Sequence, residues 1–512
     1  MKEIVILSVS DIHGYIFPTN YQHKGQELSK GLLKIQTLIE KERQANTNTL
    51  LIENGDFIQG SPFCFYLNSE LQSSEMLTKV YNQIGFDVGV IGNHEFNFGL
   101  PYLHDTLDRL NYPVLSANIT TDGKPFTGHD VVYKEIDGVT VAIIGVTTPY
   151  IPNWEKPEII AGLEFETTVS YLKAHIQSVR DKADIVVVSY HGGFERDLET
   201  GNETEQQTGE NEGYQILQEV DGIDVLITGH QHREIATVKE GVSIVQPGSK
   251  GDFLGKIVLQ YDAQQHTIKH QTTDLIPVTE ETVSQEAPQA VRDTQDKLEA
   301  WLDAPLVHLN EDMLVKDDFK ARIKPHPIVN LLNHAQMSLA GVDISCTPLF
   351  PSARGFSKTV TMRDIIDNYP FPNTFNVLEV TGAELKAALE KTATYFDVED
   401  GDITVNQAFL EPKPQHFNYD MYSGIDYTIH ASNEAGARVH DVTFKGEPVT
   451  DAQTYQVVMN NYRAVGGGDY AMFDESKIVK DIPVEGAEML IQYLKHQGSN
   501  DIPNLTTFKV TL

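Results

Sequence analysis

Cysteine is nearly absent. Cys64 and Cys346 are the only two in 512 residues, and they lie far apart in the chain. A disulfide framework and a cysteine-built zinc site are both excluded. Basic residues are scarce as well: Lys and Arg number 39 against 73 Asp and Glu, a formal net charge of -34. Affinity for polyphosphate backbones and for anionic lipid comes mainly from Lys and Arg, so neither a nucleic-acid polymer nor a membrane surface is an expected partner. An anionic small substrate stays open if metal cations supply local positive charge. Long apolar runs are missing too, since no stretch approaches the ~20 residues of a spanning helix. The N-terminus reads Met1-Lys2-Glu3-Ile4-Val5-Ile6-Leu7-Ser8. An acid at position 3 before so short an apolar run makes a poor signal peptide, and the expected location is the cytoplasm.

What remains is a globular composition, 40% hydrophobic and 22% charged, too apolar for a disordered chain. Domains usually run to about 100–200 residues, so two or more are expected. In the first half, short runs rich in Val and Ile read as strands: Ile4–Val9, Thr49–Ile52, Asp87–Ile91, Val139–Val146, Asp184–Ser189 and Asp224–Ile227. Helical periods separate them, as in Leu32, Ile35, Leu38 and Ile39, or Tyr171, Ala174, His175 and Val179. Strands alternating with helices predict an α/β layer structure. The texture changes near residue 270. Val291, Leu298, Trp301 and Leu302 form a helical stripe within Glu286–Asp303, closed by Pro305, and are read as a linker helix. The expected domains are 1–278, a linker at 279–305, and 306–512, the last an α+β unit with strands Phe375–Val380, Tyr427–His430 and Tyr455–Met459 and helices Ala383–Tyr395 and Ala487–His496.

Nearly every strand of the first half runs into a metal-ligand type. Ile4–Val9 leads to Asp11 and His13, Thr49–Ile52 to Gly55-Asp56, and Asp87–Ile91 to Gly92-Asn93-His94-Glu95. Asp184–Ser189 leads to His191, and Asp224–Ile227 to Gly229-His230-Gln231-His232. Ligand sites of open α/β sheets lie beyond the carboxyl ends of the strands, where segments distant in sequence converge. Taken singly, each piece reads equally as a cap, a turn or a surface histidine. The conjunction of five such ends points to a metal site. Imidazole, carboxylate and amide oxygen suit Mn, Zn, Fe, Co or Ni. Two divalent ions bring four positive charges, of which Asp11 and Asp56 offset two, so a phosphate ester is favoured.

This series resembles the signature of the calcineurin-like metallophosphoesterases, and more narrowly that of the 5'-nucleotidase family with its 2',3'-cyclic-nucleotide 2'-phosphodiesterase/3'-nucleotidase branch. The resemblance implies a four-layered α/β/β/α sandwich followed by a C-terminal α+β nucleotide-binding domain. It implies that Asp11, His13, Asp56 and His232 hold one divalent metal, and that Asp56 bridges to a second held by Asn93, His191 and His230. His94 would be the catalytic histidine. The family's GNHEFD motif places an Asp behind that histidine, whereas this chain has Asn97 there, as in the cyclic branch. An amide can orient the imidazole but cannot stabilise imidazolium by charge.

Three stretches of the second half carry aromatics before glycines or turns: Tyr369 to Thr374, Asn418 to Gly424, and Asn460 to Tyr470 with Gly466-Gly467-Gly468. Such aromatics can stack a base, and equally they can be core residues beside tight turns. The resemblance implies that Phe371 and Tyr462 stack the base, that Asn373 contacts it and that Asp469 meets the ribose. Gly424, which closes the second stretch, is a further expected substrate-binding residue, and Arg354 is the one match to the family's phosphate-facing arginines, with Arg363 a weaker candidate. The expected activity is hydrolysis of a small-molecule nucleotide of the 2',3'-cyclic or 3' type to nucleoside and phosphate. A 5'-nucleotidase or UDP-sugar hydrolase is the alternative within the family, and a non-catalytic nucleotide-binding protein the alternative outside it.

Overall fold

The computed structural model describes residues 1–205, 207–278, 287–351, 353–371, 373–411, 414–482, 484–497 and 504–512. It divides into two compact units, Met1–Leu298 and Glu299–Leu512. The division falls inside the helix Gln289–Leu302, which carries the stripe Val291, Leu298 and Leu302, all fully buried. The part of the expected linker before Ala287 lies outside the described residues.

The first unit rests on two six-stranded sheets. Their strands are β1 (Lys2–Val9), β2 (Thr49–Glu53), β3 (Val88–Val90), β4 (Val114–Leu115), β5 (Val131–Ile136), β6 (Val139–Thr147), β7 (Ile185–His191), β8 (Val225–Ile227), β9 (Glu234–Lys239), β10 (Val242–Pro247), β11 (Phe253–Asp262) and β12 (Thr267–Pro277). One sheet runs β12-β11-β1-β2-β3-β4 and the other β9-β10-β8-β7-β6-β5. Within the first, β1 to β4 are parallel and β11 and β12 antiparallel. Within the second, β6, β7, β8 and β10 are parallel, with β5 and β9 antiparallel at the edges.

The parallel strands are buried on both faces, and so they read as continuous Val/Ile runs rather than as alternation. In β7, Ile185 and Val187 join Ile6, Ile52 and Val90 in the core between the sheets. Val186 and Val188, pointing the other way, pack with Leu172 and Ile176 of the helix Thr168–Arg180. That helix begins at Thr167, whose hydroxyl accepts the Ser170 N–H. Leu32–Ala45 packs on β11, outside the first sheet, and buries Leu33, Ile35 and Ile39. The layers are therefore helix, sheet, sheet, helix. Each fully buried Val, Leu or Ile contributes about 1.5–3 kcal/mol, so this double core holds the strand ends in place.

The strands β9 to β12, of which β9 and β12 lie at sheet edges, escape the simple reading of the sequence. β12 alternates exposed and half-buried residues, with no apolar run to mark it. Its pairing with β11 over the full length is what makes it a strand.

The second unit has a five-stranded sheet in the order Met421–Ser423, Ile344–Thr347, Thr454–Asn460, Phe375–Thr381, Ile478–Ile482. The helices Met362–Asn368 and Gly382–Ala393 both open with a capping box, Thr361 with Asp364 and Thr381 with Glu384. Each box satisfies two backbone N–H groups that the first turn would otherwise leave unpaired.

Candidate metal centre

The residues following β1, β2, β3 and β8, together with the last residue of β7, meet at one end of the two sheets. The oxygen and nitrogen atoms of Asp11, His13 and His232 converge, as do those of Asp56, His191 and His230, and Asp56 also groups with His13 and His94. The backbone is bent hard to achieve this. Asp11, His13, Asp56, His230 and His232 all have positive φ, between 49° and 65°. A left-handed conformation costs a non-glycine residue about 1–3 kcal/mol, and such strain clusters at functional sites. Gly92 permits the close approach of β3 to β2, since a Cβ there would lie 2.3 Å from Asp56 Oδ1.

The histidine tautomers are set from behind. His191 Nδ1–H donates to the Asn54 carbonyl at 2.6 Å, and His13 Nδ1–H donates to the Gln59 carbonyl at 3.0 Å. The Nε2 lone pairs then face inward. His191 Nε2 meets two further acceptors, Asp56 Oδ2 at 3.1 Å and Asn93 Oδ1 at 3.2 Å. His230 Nδ1 lies 2.8 Å from the same Asn93 oxygen, while its Nε2 faces Glu210 Oε1 at 2.8 Å. On the other side of Asp56, His13 Nε2 lies 2.9 Å from His232 Nε2, and His232 Nε2 lies 3.5 Å from Asp11 Oδ1. Acceptors packed this closely call for cations between them. Two ligands each about 2.1 Å from one ion, at roughly right angles, stand about 3 Å apart, so the set fits two divalent metals.

The electrostatics agree. Burial alone would depress His191, but Asp56 and Asp11 outweigh it and hold the imidazole up at about 10. Burial opposes ionisation of Asp56 too, and His191 and His94 overcome it and hold the carboxyl well below its usual range. Burial pushes Asp11 up to about 6 and His13 down to about 3. The two carboxylates thus favour positive charge at the His191 ring. A bound cation would supply that charge.

His94 sits in the helical turn His94–Phe96. Its backbone N–H donates to Asp56 Oδ1 at 2.9 Å, and its Nδ1 bonds Asn97 Oδ1 at 2.6 Å. Its ring stands 5.2 Å from that of His13.

Sequence reasoning passed over Glu95, although it lies inside the GNHE stretch. Its buried carboxylate accepts the N–H groups of Gly92 at 2.6 Å, Phe57 at 2.8 Å and Asp56 at 2.9 Å. It also missed Glu155, Glu210, Asn54 and Gln59, whose contacts join segments that no local pattern links.

In the second unit the structure rearranges the expected substrate residues. Tyr462 has its ring contact with Phe417, at 6.5 Å and 67°, and its hydroxyl reaches Asn418 Oδ1 at 3.4 Å. Phe371 instead packs on Phe350 at 5.2 Å, with 42% of its surface exposed. Phe371 is thus corrected as the partner of Tyr462: the turn after Tyr369 carries it to Phe350. Gly424 has a packing reason of its own. Its φ is 85° and a Cβ would lie 1.8 Å from the Asp343 carbonyl oxygen, so packing explains this glycine. Asn373 is half-buried, and its carbonyl accepts the Gly486 N–H. Asp469, at φ 64°, pairs with Lys391 at 3.3 Å. Arg354 is exposed, and Arg363 is tied to Glu299 and Asp303.

Two facing sheets with a cluster of inward-facing acceptors at their strand ends define a metal-dependent hydrolase as the class of protein. Residues 4–234 match the profile of the calcineurin-like phosphoesterases, and residues 307–475 that of the 5'-nucleotidase C-terminal domain. A Staphylococcus aureus chain described as a candidate 5'-nucleotidase, solved in complex with alpha-ketoglutarate, is 46% identical. That alignment covers 99% of this chain and 100% of the other, with a TM-score of 0.95. A Yersinia enterocolitica 2',3'-cyclic-nucleotide 2'-phosphodiesterase/3'-nucleotidase is 26% identical over 96% of this chain and 85% of its own length. The trifunctional nucleotide phosphoesterase protein YfkN of Bacillus subtilis is also 26% identical over 96% of this chain, which spans 38% of the length of that relative. The chain belongs to the 5'-nucleotidase family of calcineurin-like metallophosphoesterases. It is a nucleotide phosphoesterase, of a family that works with divalent metal ions. Among the described residues, no helix is long and apolar enough to cross a membrane.

Proposed function

We propose that the chain hydrolyses nucleotide phosphate esters of the 2',3'-cyclic and 3' type, opening the cyclic ester to a 3'-nucleotide and then releasing phosphate. The supporting observation is how its arginines are used. Of the five arginines in residues 299–512, Arg363 and Arg463 bond to carboxylates, while Arg322 and Arg438 donate to backbone carbonyls. Arg354 is the exposed one. A 5'-monophosphate is a dianion extending away from the sugar, and an arginine set helps to position it. A 2',3'-cyclic phosphate is a monoanion fused to the ribose, already placed once base and sugar are held.

In this reading Asp11, His13, Asp56 and His232 hold one ion, and Asp56, Asn93, His191 and His230 the other. Two divalent ions would supply positive charge for the phosphate oxygens and acidify an attacking water. The chain's own part is to aim. Asp56 spans both ligand groups, and Asn54 and Gln59 keep imidazole lone pairs inward. His94, its Nδ1–H on Asn97, turns Nε2 toward a phosphoryl or leaving oxygen, where it donates a proton or stabilises charge. Tyr462 and Phe417 offer faces for a base, which would replace their edge contact with two stacking contacts.

The second reading is a 5'-nucleotidase, favoured by the Staphylococcus aureus relative. A Mn2+-supplemented assay of 5'-AMP, 3'-AMP, 2',3'-cAMP, 3',5'-cAMP and a UDP-sugar separates the two. The expected result is kcat/KM for 2',3'-cAMP or 3'-AMP at least about tenfold above that for 5'-AMP, roughly 1.4 kcal/mol of transition-state stabilisation. If 5'-AMP is the best substrate, the second reading holds.

A further inference from the structure

We infer that Glu155 is the positioning residue that completes a His94–Asn97–Glu155 relay, supplying from the loop after β6 the negative charge that Asn97 lacks. The inference rests on His94 acting at the phosphoryl group, as proposed above. Asn97 Oδ1 lies 2.6 Å from His94 Nδ1, and Asn97 Nδ2 donates to Glu155 Oε1 at 2.5 Å. Both ends of the amide are engaged at once.

The chemistry of an amide makes this arrangement directional. Asn can turn either its oxygen or its NH2 toward a neighbour. If the NH2 faced His94, it would require a lone pair on Nδ1 and so exclude the imidazolium, the form that donates from Nε2 while Nδ1–H stays bonded. An ionised carboxylate only accepts. Glu155 therefore takes the NH2, the oxygen is left for His94, and Nδ1 must carry the proton. A carboxylate at position 97 would fix the same tautomer by itself. Here its two duties are divided: Asn97 sets the geometry and Glu155 holds the charge one hydrogen bond further out.

Glu155 is built in rather than incidental. Its N–H donates to the Ile151 carbonyl at 3.0 Å in the turn Ile151–Asn153, and Ile151 is fully buried. Its neighbour Trp154 lies with its ring 5.5 Å from that of His230, tilted by 32°. The loop is thus pinned immediately before the carboxylate. Burial pushes the Glu155 carboxyl up, and the Asn97 bond and His94 pull it back. A positive imidazole and this carboxylate stabilise each other across the amide.

The test uses the full chain with Mn2+ and bis(p-nitrophenyl) phosphate or 2',3'-cAMP. It reads kcat, KM and bound metal, together with 15N shifts of the His94 imidazole in histidine-labelled protein. Glu155→Gln keeps an acceptor for Asn97 and loses the charge, so kcat should fall about three- to tenfold with KM within about twofold and metal unchanged. Glu155→Ala releases the amide, so kcat should fall about thirtyfold or more, with His94 shifting from the Nδ1–H to the Nε2–H signature. The double variant Asn97→Asp/Glu155→Gln moves the charge back beside the histidine and should recover kcat to within about threefold of wild type. Recovery also excludes misfolding as the cause of the single-variant losses. The relay is overturned if Glu155→Ala keeps both kcat and the Nδ1–H signature, or if the double variant is no faster than Glu155→Gln. His94→Asn is the control that separates the two levels. If it retains the wild-type rate, the reading of His94 fails and the relay fails with it. If it is slow while Glu155→Ala is not, only the relay fails.

Discussion

Glu95 Oε2 accepts the backbone N–H of Asp56 at 2.9 Å, so the carboxylate of one strand-end loop holds the main chain of another. The same side chain ties Gly92 and Phe57. Its hydrogen bonds go to backbone N–H groups, and they fix the main chain beneath the residue proposed to bridge the ions. Glu95→Gln leaves at most one oxygen for these donors and puts an NH2 among them. Unfolding by urea should reveal a loss of about 2–4 kcal/mol, and metal titration a weaker affinity. Wild-type stability in this variant would show that the N–H groups find other partners.

Asp56 and His94 should part company when mutated. Asp56→Asn is expected to abolish turnover and lower bound metal to one ion or none, because Asp56 belongs to the ligand groups on both sides of the site. His94→Asn should retain metal while the rate falls by about two to four orders of magnitude, as for a lost proton donor or charge stabiliser. Metal analysis alongside kcat distinguishes them; metal loss in His94→Asn would make His94 a ligand.

Gly424 offers a stability test in the second unit. Its φ of 85° and the nearness of the Asp343 carbonyl leave no room for a methyl group. Gly424→Ala should cost about 2–4 kcal/mol in chemical denaturation. In folded enzyme kcat/KM should be unchanged, and a loss confined to KM would return the glycine to the substrate site.

Asp367 provides a pH dependence outside the metal centre. Burial and the neighbouring Asp364 push its carboxyl up to about 7, against the pull of Arg363 and Arg354. The unfolded chain releases this proton near pH 3.9. Between about pH 4 and 7 the folded form therefore binds more protons than the unfolded one, and stability falls as pH rises. Below pH 4 the penalty is absent, and above pH 7 it is complete. Asp367→Asn should be more stable than wild type by about 1–2 kcal/mol at pH 8, after allowance for solvent screening, and no more stable at pH 3.5. Equal stability increments at both pH values would mean that the gain is not electrostatic.

Much of the first unit was legible because its signals are local. The β7 strand is a run of Ile185, Val186, Val187 and Val188 that needs two apolar faces, and His191 ends it. Asp11, His13 and Asp56 follow their strands within a few residues, where the general placement of ligand sites in α/β sheets directs attention. The exposed edge of β12 was not legible, since its half-polar alternation becomes a strand only through pairing with β11. In the second unit the aromatic stretches were visible, but not which rings meet. The turn after Tyr369 carries Phe371 to Phe350, and the ring that meets Tyr462 is Phe417, one residue before the second stretch.

The sequence by itself determined the types of side chain at each strand end and the periodicity that brings those ends to one edge, because both depend on residues near one another along the chain. Only the tertiary structure decided how the contacts behind them are shared out. Glu155 lies 58 residues beyond Asn97, and Glu95 reaches back 39 residues to Asp56. Arg363 spends its guanidinium on residues 60 and 64 positions earlier. A buried hydrogen bond or ion pair forms where packing has already expelled water and left a donor opposite an acceptor. That condition is met in three dimensions, between side chains whose separation along the chain carries no periodic mark.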